Sequence, residues 1–203
     1  SNMYEPLLWM DASGEGHKMT PGLATSYTKS DDGLLWTFEL RKNVYFHDGQ
    51  RFNADAVKYV VDRNKSRYLG ASYIWSNVKE VRVDEEHRVT FILDKAVPLD
   101  RIVSSQYGAW MYSPATKNMS GDSISRGHVA GTGPYKFKSW QRNHQIELAR
   151  NNKYWRGWEQ THYFETIQIR VVSESSTRLQ MIESGLADYA VLIPNQLLKK
   201  LKE

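Results

Sequence analysis

The sequence predicts an α+β or mixed α/β fold, and three observations predict it. Apolar residues recur with period two in several short runs, stretches of helical period stand irregularly between them, and some runs are joined by turns short enough for antiparallel hairpins. A regular doubly wound sheet would instead alternate strand and helix throughout.

Residues 30–63 show both periods in succession. Asp31-Asp32-Gly33 has turn chemistry, because Asp bonds its own backbone and Gly accepts a positive φ. Trp36, Phe38 and Leu40 then alternate with Thr37 and Glu39, as in a half-buried strand. His47-Asp48-Gly49-Gln50 is a second turn. Asn53 is placed to cap a helix whose Val57, Val60 and Val61 form an apolar stripe opposite Lys58, Asp62 and Arg63.

Upstream, Tyr4–Met10 is apolar, Asp11–His17 is a polar bend and Pro21-Gly22 a turn. Downstream, Arg67–Asn77 is aromatic without clear period and reads as a loop with a helical turn. Val78–Val83 and Arg88–Leu93 read as a hairpin turning at Asp84–His87, and Pro98–Gln106 as a short helix. Trp110-Met111-Tyr112 is expected as a buried or cleft-side strand, and the Ser- and Gly-rich Asn118–His128 as a linker. Tyr135–Trp140 and Gln145–Ala149 predict a second hairpin around Arg142-Asn143-His144. Phe164–Val172 is a further strand with Phe164, Ile167, Ile169 and Val171 as its apolar positions. Ser173–Ser184 reads as a helix stopped by Gly185, Ala187–Ile193 as a last strand, and Pro194 opens a new segment.

Composition narrows the function. Aromatic residues make up 12% of the 203 residues, with seven Trp and twelve Tyr, while mean hydropathy is −0.61. That pairing predicts a β-rich protein with wide polar surfaces and an aromatic-lined cleft. No run of about 18 apolar residues occurs, so no spanning helix is expected. Ser1-Asn2 is expected to be a remnant of tag removal, with any export signal of the parent outside these residues. Without cysteine there is neither a disulfide nor a thiolate site within the segment.

The net charge of +4 arises from 27 basic and 23 acidic residues that are well mixed. Even the cluster Lys199, Lys200 and Lys202 reads as solvated surface, and no nucleic-acid binding is expected. His17, His47, His87, His128, His144 and His162 are scattered, with no helical pair beside a carboxylate, so no metal site is expected. There is no G-x-S-x-G elbow, and Ser104-Ser105 has no identifiable base partner. The expectation is a protein that is not an enzyme and needs no cofactor. Among the tryptophans, Trp9, Trp36, Trp140 and Trp155 are expected in the core and Trp158 in a partly exposed loop.

Several short motifs occur in a fixed order: Tyr4-Glu5-Pro6-Leu7-Leu8, Pro21-Gly22-Leu23-Ala24, residues 30–63, Gly131-Thr132-Gly133-Pro134-Tyr135, Asn151-Asn152-Lys153-Tyr154-Trp155, and Ser176-Thr177-Arg178 with Glu183-Ser184-Gly185 and Asp188. On these motifs the chain resembles the family 5 extracellular solute-binding proteins, the peptide- and nickel-binding receptors of ABC importers. Gly131-Thr132-Gly133 lacks the third glycine and following helix of a dinucleotide site. Thr177-Arg178 is expected to start a helix, its hydroxyl satisfying first-turn N–H groups.

The resemblance implies a periplasmic-binding-protein-like fold of type II, in the cluster that carries an extra accessory domain, present here in part. It implies that residues 1–128 are mostly the accessory domain inserted in the first lobe. Residues 129–193 would then be part of that lobe, and 194–203 the start of the crossover to a second lobe. It further implies capture of an oligopeptide or similar small solute by two-lobe closure, delivery to the membrane subunits of an ABC importer, and a monomer. The parent would be periplasmic, or extracellular and anchored as a lipoprotein. Similar domains also stand behind a DNA-binding domain in cytoplasmic transcription regulators, where they sense a metabolite, and this is the alternative. The high Trp and Tyr count alone suggests a more distant option, a carbohydrate-binding module.

By the same resemblance, Tyr73 and Trp75 fall in a loop that places side chains over the ligand, with Trp75 the first choice. Tyr107 and Trp110 stand near positions where nickel-binding relatives offer arginine. Aromatic residues there favour peptide or sugar faces over an anionic metal chelate.

Overall fold

The protein is described from a computed structural model that covers residues 2–11, 18–67, 70–159 and 163–198. Strands β1 (Leu8–Met10), β2 (Met19–Pro21), β3 (Ala24–Lys29) and β4 (Leu35–Leu40) precede helix α1 (Ala54–Arg67) and a 3₁₀ helix over Gly70–Trp75. Strands β5 (Val78–Glu85) and β6 (Arg88–Leu93) are followed by α2 (Leu99–Val103), a 3₁₀ turn over Pro114–Asn118 and α3 (Gly121–Ser125). Then come β7 (Tyr135–Gln141), β8 (Gln145–Arg150), β9 (Thr166–Arg170), α4 (Ser175–Glu183) and α5 (Asn195–Leu198). The chain divides into two compact units, Ser1–Phe137 with Leu148–Thr166, and Lys138–Glu147 with Ile167–Glu203.

The core of the first unit lies on a four-stranded antiparallel sheet of order β3-β4-β6-β5. Its lead-in turn is built by Ser30 and Asp32. The Ser30 hydroxyl donates to Asp32 Oδ1 at 2.6 Å, and Asp32 Oδ1 also accepts from the Leu34 amide at 3.0 Å. In β4 the buried side chains are Trp36, Phe38 and Leu40, so the period-two pattern is the pattern of burial. Phe38 meets Phe91 of β6 edge to face at 5.4 Å between ring centres. Helix α1 is capped by Asn53, whose Oδ1 accepts from the Ala56 amide at 3.0 Å. Its Val57, Val60 and Val61 are fully buried, each contributing about 1.5–3 kcal/mol by leaving water. On the solvent side Lys58 pairs with Asp62 at 3.0 Å, one turn apart.

Strands β7, β8 and β9 form a three-stranded sheet in that order. The β7–β8 turn has Asn143 at φ 59°, a left-handed position that Asn tolerates. In the second unit, α4 ends as expected before Gly185 at φ +71°. Its start differs from the expectation: the helix begins at Ser175 after Glu174, and no side chain caps it. Arg178 instead acts on carbonyls, its guanidinium donating to Val172 and Ser173 at 2.6 and 2.8 Å and to Val191 and Leu192 at 3.1 and 2.8 Å.

Three local expectations are corrected. Ala187–Ile193 is not a strand: none of the described strands pairs with it, and two of its carbonyls are held by Arg178 instead of a strand neighbour. Trp110–Tyr112 contributes only one antiparallel bridge, between Met111 and Glu5. Asn118–His128 is not an open linker, since the Ser120 hydroxyl accepts from the Ser123 amide at 3.2 Å and starts α3. The expected strand over Phe164–Val172 is present as β9, Thr166–Arg170, with Phe164, Ile169 and Val171 exposed.

Candidate functional site

The motifs that are far apart in sequence meet around one buried side chain of the first unit. Glu5 is buried, and its carboxyl oxygens accept from Thr132 Oγ1 at 2.9 Å, Tyr154 OH at 2.8 Å and Trp155 Nε1 at 2.8 Å. Burial and the nearby Glu5 carboxyl push the Tyr154 phenol well above its ordinary range. The Arg41 guanidinium lies over the Trp155 ring at 4.2 Å, and burial lowers its pKa. The chain must also pass close to itself here. A Cβ on Gly131 would sit 2.0 Å from the Met3 carbonyl oxygen, so only glycine fits.

His47 fastens the same loop. Its Nδ1 accepts from the Gly131 amide at 3.3 Å, which leaves Nε2 as the N–H that donates to the Gly133 carbonyl at 2.9 Å. Burial lowers its pKa from the ordinary value. Asn151 Nδ2 donates to the same Gly133 carbonyl at 3.1 Å. These contacts explain why glycine, histidine, asparagine and aromatic residues stand where they do. They form a structural knot rather than a reactive centre.

Beside the knot, the first unit contains a cavity of about 310 Å³. Its aromatic walls are Tyr4, Tyr107, Trp110 and Tyr112, and Arg63 and Asn64 at the end of α1 add polar groups. Ala71, Ser72, Gly108, Thr116, Ile124 and Val129 complete it. Trp110 is braced edge-on by Trp9, with ring centres 6.0 Å apart. The Tyr112 hydroxyl donates to Asn64 Oδ1 at 2.8 Å and lies 3.5 Å from Arg63 Nη1. Tyr4 donates its hydroxyl to the Val129 carbonyl at 2.9 Å, and burial raises its pKa to about 12, so the phenol stays protonated. Gly108 lets the Tyr107–Trp110 loop lie against the 3₁₀ helix, because a Cβ there would meet Ala71 Cβ at 2.6 Å.

Of the residues singled out in the sequence, Tyr107 and Trp110 line this cavity. Tyr107 is 71% exposed, and Trp110 is half-buried. Tyr73 is exposed but lies outside the lining. Trp75 is corrected from ligand contact to core: it is 0% exposed and stacks on Phe91, which leaves no face for a ligand. The reason is register, since the 3₁₀ helix turns position 75 onto the sheet and positions 71 and 72 toward the cavity. Trp36 is buried as expected, Trp9 and Trp155 are half-buried, and Trp140 is 41% exposed instead of core.

Arg63, Asn64 and Tyr4 line the cavity without being singled out by the sequence, whereas Tyr112 belongs to the Trp110–Tyr112 segment expected to be buried or cleft-side. Arg63 read as the polar face of an amphipathic helix, which on most helices is solvent. The one hint was that Tyr4 belongs to the first motif. His17, His162 and the Lys199, Lys200 and Lys202 cluster lie outside the described residues. Among the described residues no group of three or more His, Asp or Glu is placed to hold a metal. No described helix is long and apolar enough to cross a membrane.

Comparison with known proteins places these features. The family model for bacterial extracellular solute-binding proteins, family 5 Middle, matches residues 18–203. The chain is 30% identical over 195 residues to a glutathione-binding protein of Salmonella choleraesuis (strain SC-B67), covering 95% of this chain and 37% of that protein. The substrate-binding domain of an oligopeptide ABC transporter from Bacillus anthracis str. Ames superposes with a TM-score of 0.86 at 22% identity, over 100% of this chain and 42% of that one, and shows the fold. A binding protein solved with mannopinic acid, from A. tumefacien R10, superposes with a TM-score of 0.82 at 26% identity, over 92% and 38%. The chain thus spans less than half the length of each of these three proteins. Family members are transport receptors and not enzymes. With a match across residues 18–203 and a shared periplasmic-binding-protein fold, the chain belongs to the family 5 bacterial extracellular solute-binding proteins.

Proposed function

We propose that this chain is part of the substrate-capture component of an ABC importer and that the Tyr107–Trp110 cavity is its ligand-facing wall. The carrying observation is the cavity itself: aromatic faces with a few convergent polar groups, in a member of a solute-binding family. The names of the similar proteins, for glutathione, oligopeptides and mannopinic acid, support a peptide-like or similar small polar solute. Aromatic walls hold such a solute by apolar contact and by the polar edges of Tyr and Trp.

In this reading residues 1–128 are mostly the accessory domain, 129–193 part of the first lobe and 194–203 the crossover. A second lobe of the full-length parent closes over the ligand, and the closed receptor delivers it to the importer's membrane subunits. The parent works as a monomer in the periplasm or as a membrane-anchored lipoprotein. Native mass spectrometry of the full-length parent purified from cells tests this. A co-purifying small solute, lost on Trp110→Ala, is expected. Unchanged ligand occupancy in that variant would remove the cavity from the binding site.

A further inference from the structure

We propose that the cavity of the first unit selects a ligand carrying a carboxylate, with the Arg63 guanidinium as the recognising group and Trp110 and Tyr107 as the wall for the ligand's apolar body. This rests on the reading of the cavity as the ligand-facing wall. Of its twelve lining residues, Arg63 alone carries a formal charge, and none is Asp or Glu. Among the described residues no carboxylate lies within 4.0 Å of Arg63, whereas neighbouring cations are already engaged. Lys58, earlier on the same helix, pairs with Asp62 at 3.0 Å, and Arg126 near the Ile124 wall pairs with Asp122 at 2.8 Å.

The described polar contact of the Arg63 guanidinium is the Tyr112 hydroxyl at 3.5 Å, at the weak limit of a hydrogen bond, with the Tyr112 ring 5.8 Å from the guanidinium carbon. A guanidinium has five N–H donors in a planar fork that matches a carboxylate. Asn64, the next residue, accepts from Tyr112 at Oδ1 and adds the two N–H donors of its amide nitrogen. The Tyr4 phenol stays protonated and brings no negative charge to the cavity. A cation walled by aromatic rings and flanked by donors is complementary to an anion, and it disfavours a ligand presenting an ammonium to the same wall.

Two probes with one aromatic body separate the possibilities: N-acetyl-phenylalanine, a free acid, and N-acetyl-phenylalaninamide. Each is titrated into the isotopically labelled full-length parent, reading the Arg63 side-chain N–H and the Trp110 indole N–H by NMR. The expected result is that the acid shifts both signals and binds at least about tenfold more tightly than the amide, and that Arg63→Gln abolishes this preference. Equal binding of acid and amide at Trp110 overturns the carboxylate selection and leaves the cavity as the ligand wall. No shift at Trp110, Tyr107 or Arg63 with either probe overturns the ligand-wall reading and the selection with it. The acid–amide comparison on the unmodified parent decides the matter even if Arg63→Gln fails to fold.

Discussion

The indole N–H of Trp155 donates to Glu5 Oε2 at 2.8 Å, joining positions 150 residues apart in the chain. Thr132 and Tyr154 donate to the same carboxyl group, so one buried acid ties three sequence motifs together. Glu5→Gln keeps the shape but turns one acceptor into a donor facing other donors. It is expected to cost about 2–4 kcal/mol, read as a lower urea midpoint at unchanged m-value. An unchanged midpoint would show that the Glu5 contacts contribute nothing to stability.

Gly131 and Gly121 separate crowding from flexibility. Gly131→Ala forces a methyl to within 2.0 Å of the Met3 carbonyl and is expected to destabilise by more than about 2 kcal/mol. Gly121, at the start of α3, has nothing within 4 Å of the added methyl, so Gly121→Ala is expected to be neutral or stabilising by up to about 1 kcal/mol. Thermal unfolding of the two variants side by side checks the contrast.

The His47 contacts make stability depend on pH. Because the folded-state pKa lies below the unfolded value, the unfolded chain binds the proton more readily. The contribution of His47 is fully present above the unfolded pKa of about 6.5 and is lost as pH falls through the folded value. Protonation also replaces the Nδ1 acceptor that the Gly131 amide uses. Denaturant midpoints should therefore fall between pH 7.5 and pH 5, and His47→Gln should flatten that slope. A slope of equal size in the variant would assign it to other groups.

Trp75 and Trp110 should respond in opposite ways. Trp75→Ala empties a core site and is expected to cost about 3–5 kcal/mol. In the full-length parent, Trp110→Ala should weaken ligand binding at least about tenfold while lowering stability far less, since Trp110 is half-buried. Calorimetric titration with the co-purifying solute and thermal unfolding together give both readings.

The 203-residue chain alone should bind that solute at least about a hundredfold more weakly than the full-length parent, because one wall of a cleft leaves much of the ligand surface in water. Isothermal titration of both proteins under one buffer makes the comparison. Equal affinities would show that the second lobe adds nothing to binding.

Elements with a strong local signal were legible. The β4 alternation, the Asn53 cap with its valine stripe, both hairpins and the Gly185 stop each arise from neighbours in sequence. Ala187–Ile193 misled, because an apolar run becomes a strand only when another strand takes its backbone hydrogen bonds. Asn118–His128 misled in the other direction, since serine is both a linker residue and a helix cap. Tyr107 and Trp110, singled out through the family resemblance, line the cavity. Trp75 was not separable from them, because one aromatic residue in a 3₁₀ helix has no period that reveals its face.

By itself the sequence determined the fold class, the family and those local elements that carry a strong period, cap or turn signal, since such signals act over a few positions. Only the tertiary structure decided that Glu5 gathers Thr132, Tyr154 and Trp155, that Trp75 belongs to the core, and that Arg63 faces a cavity instead of open solvent. Each of these depends on which distant segment lies opposite, and burial is a property of that arrangement and not of the residue.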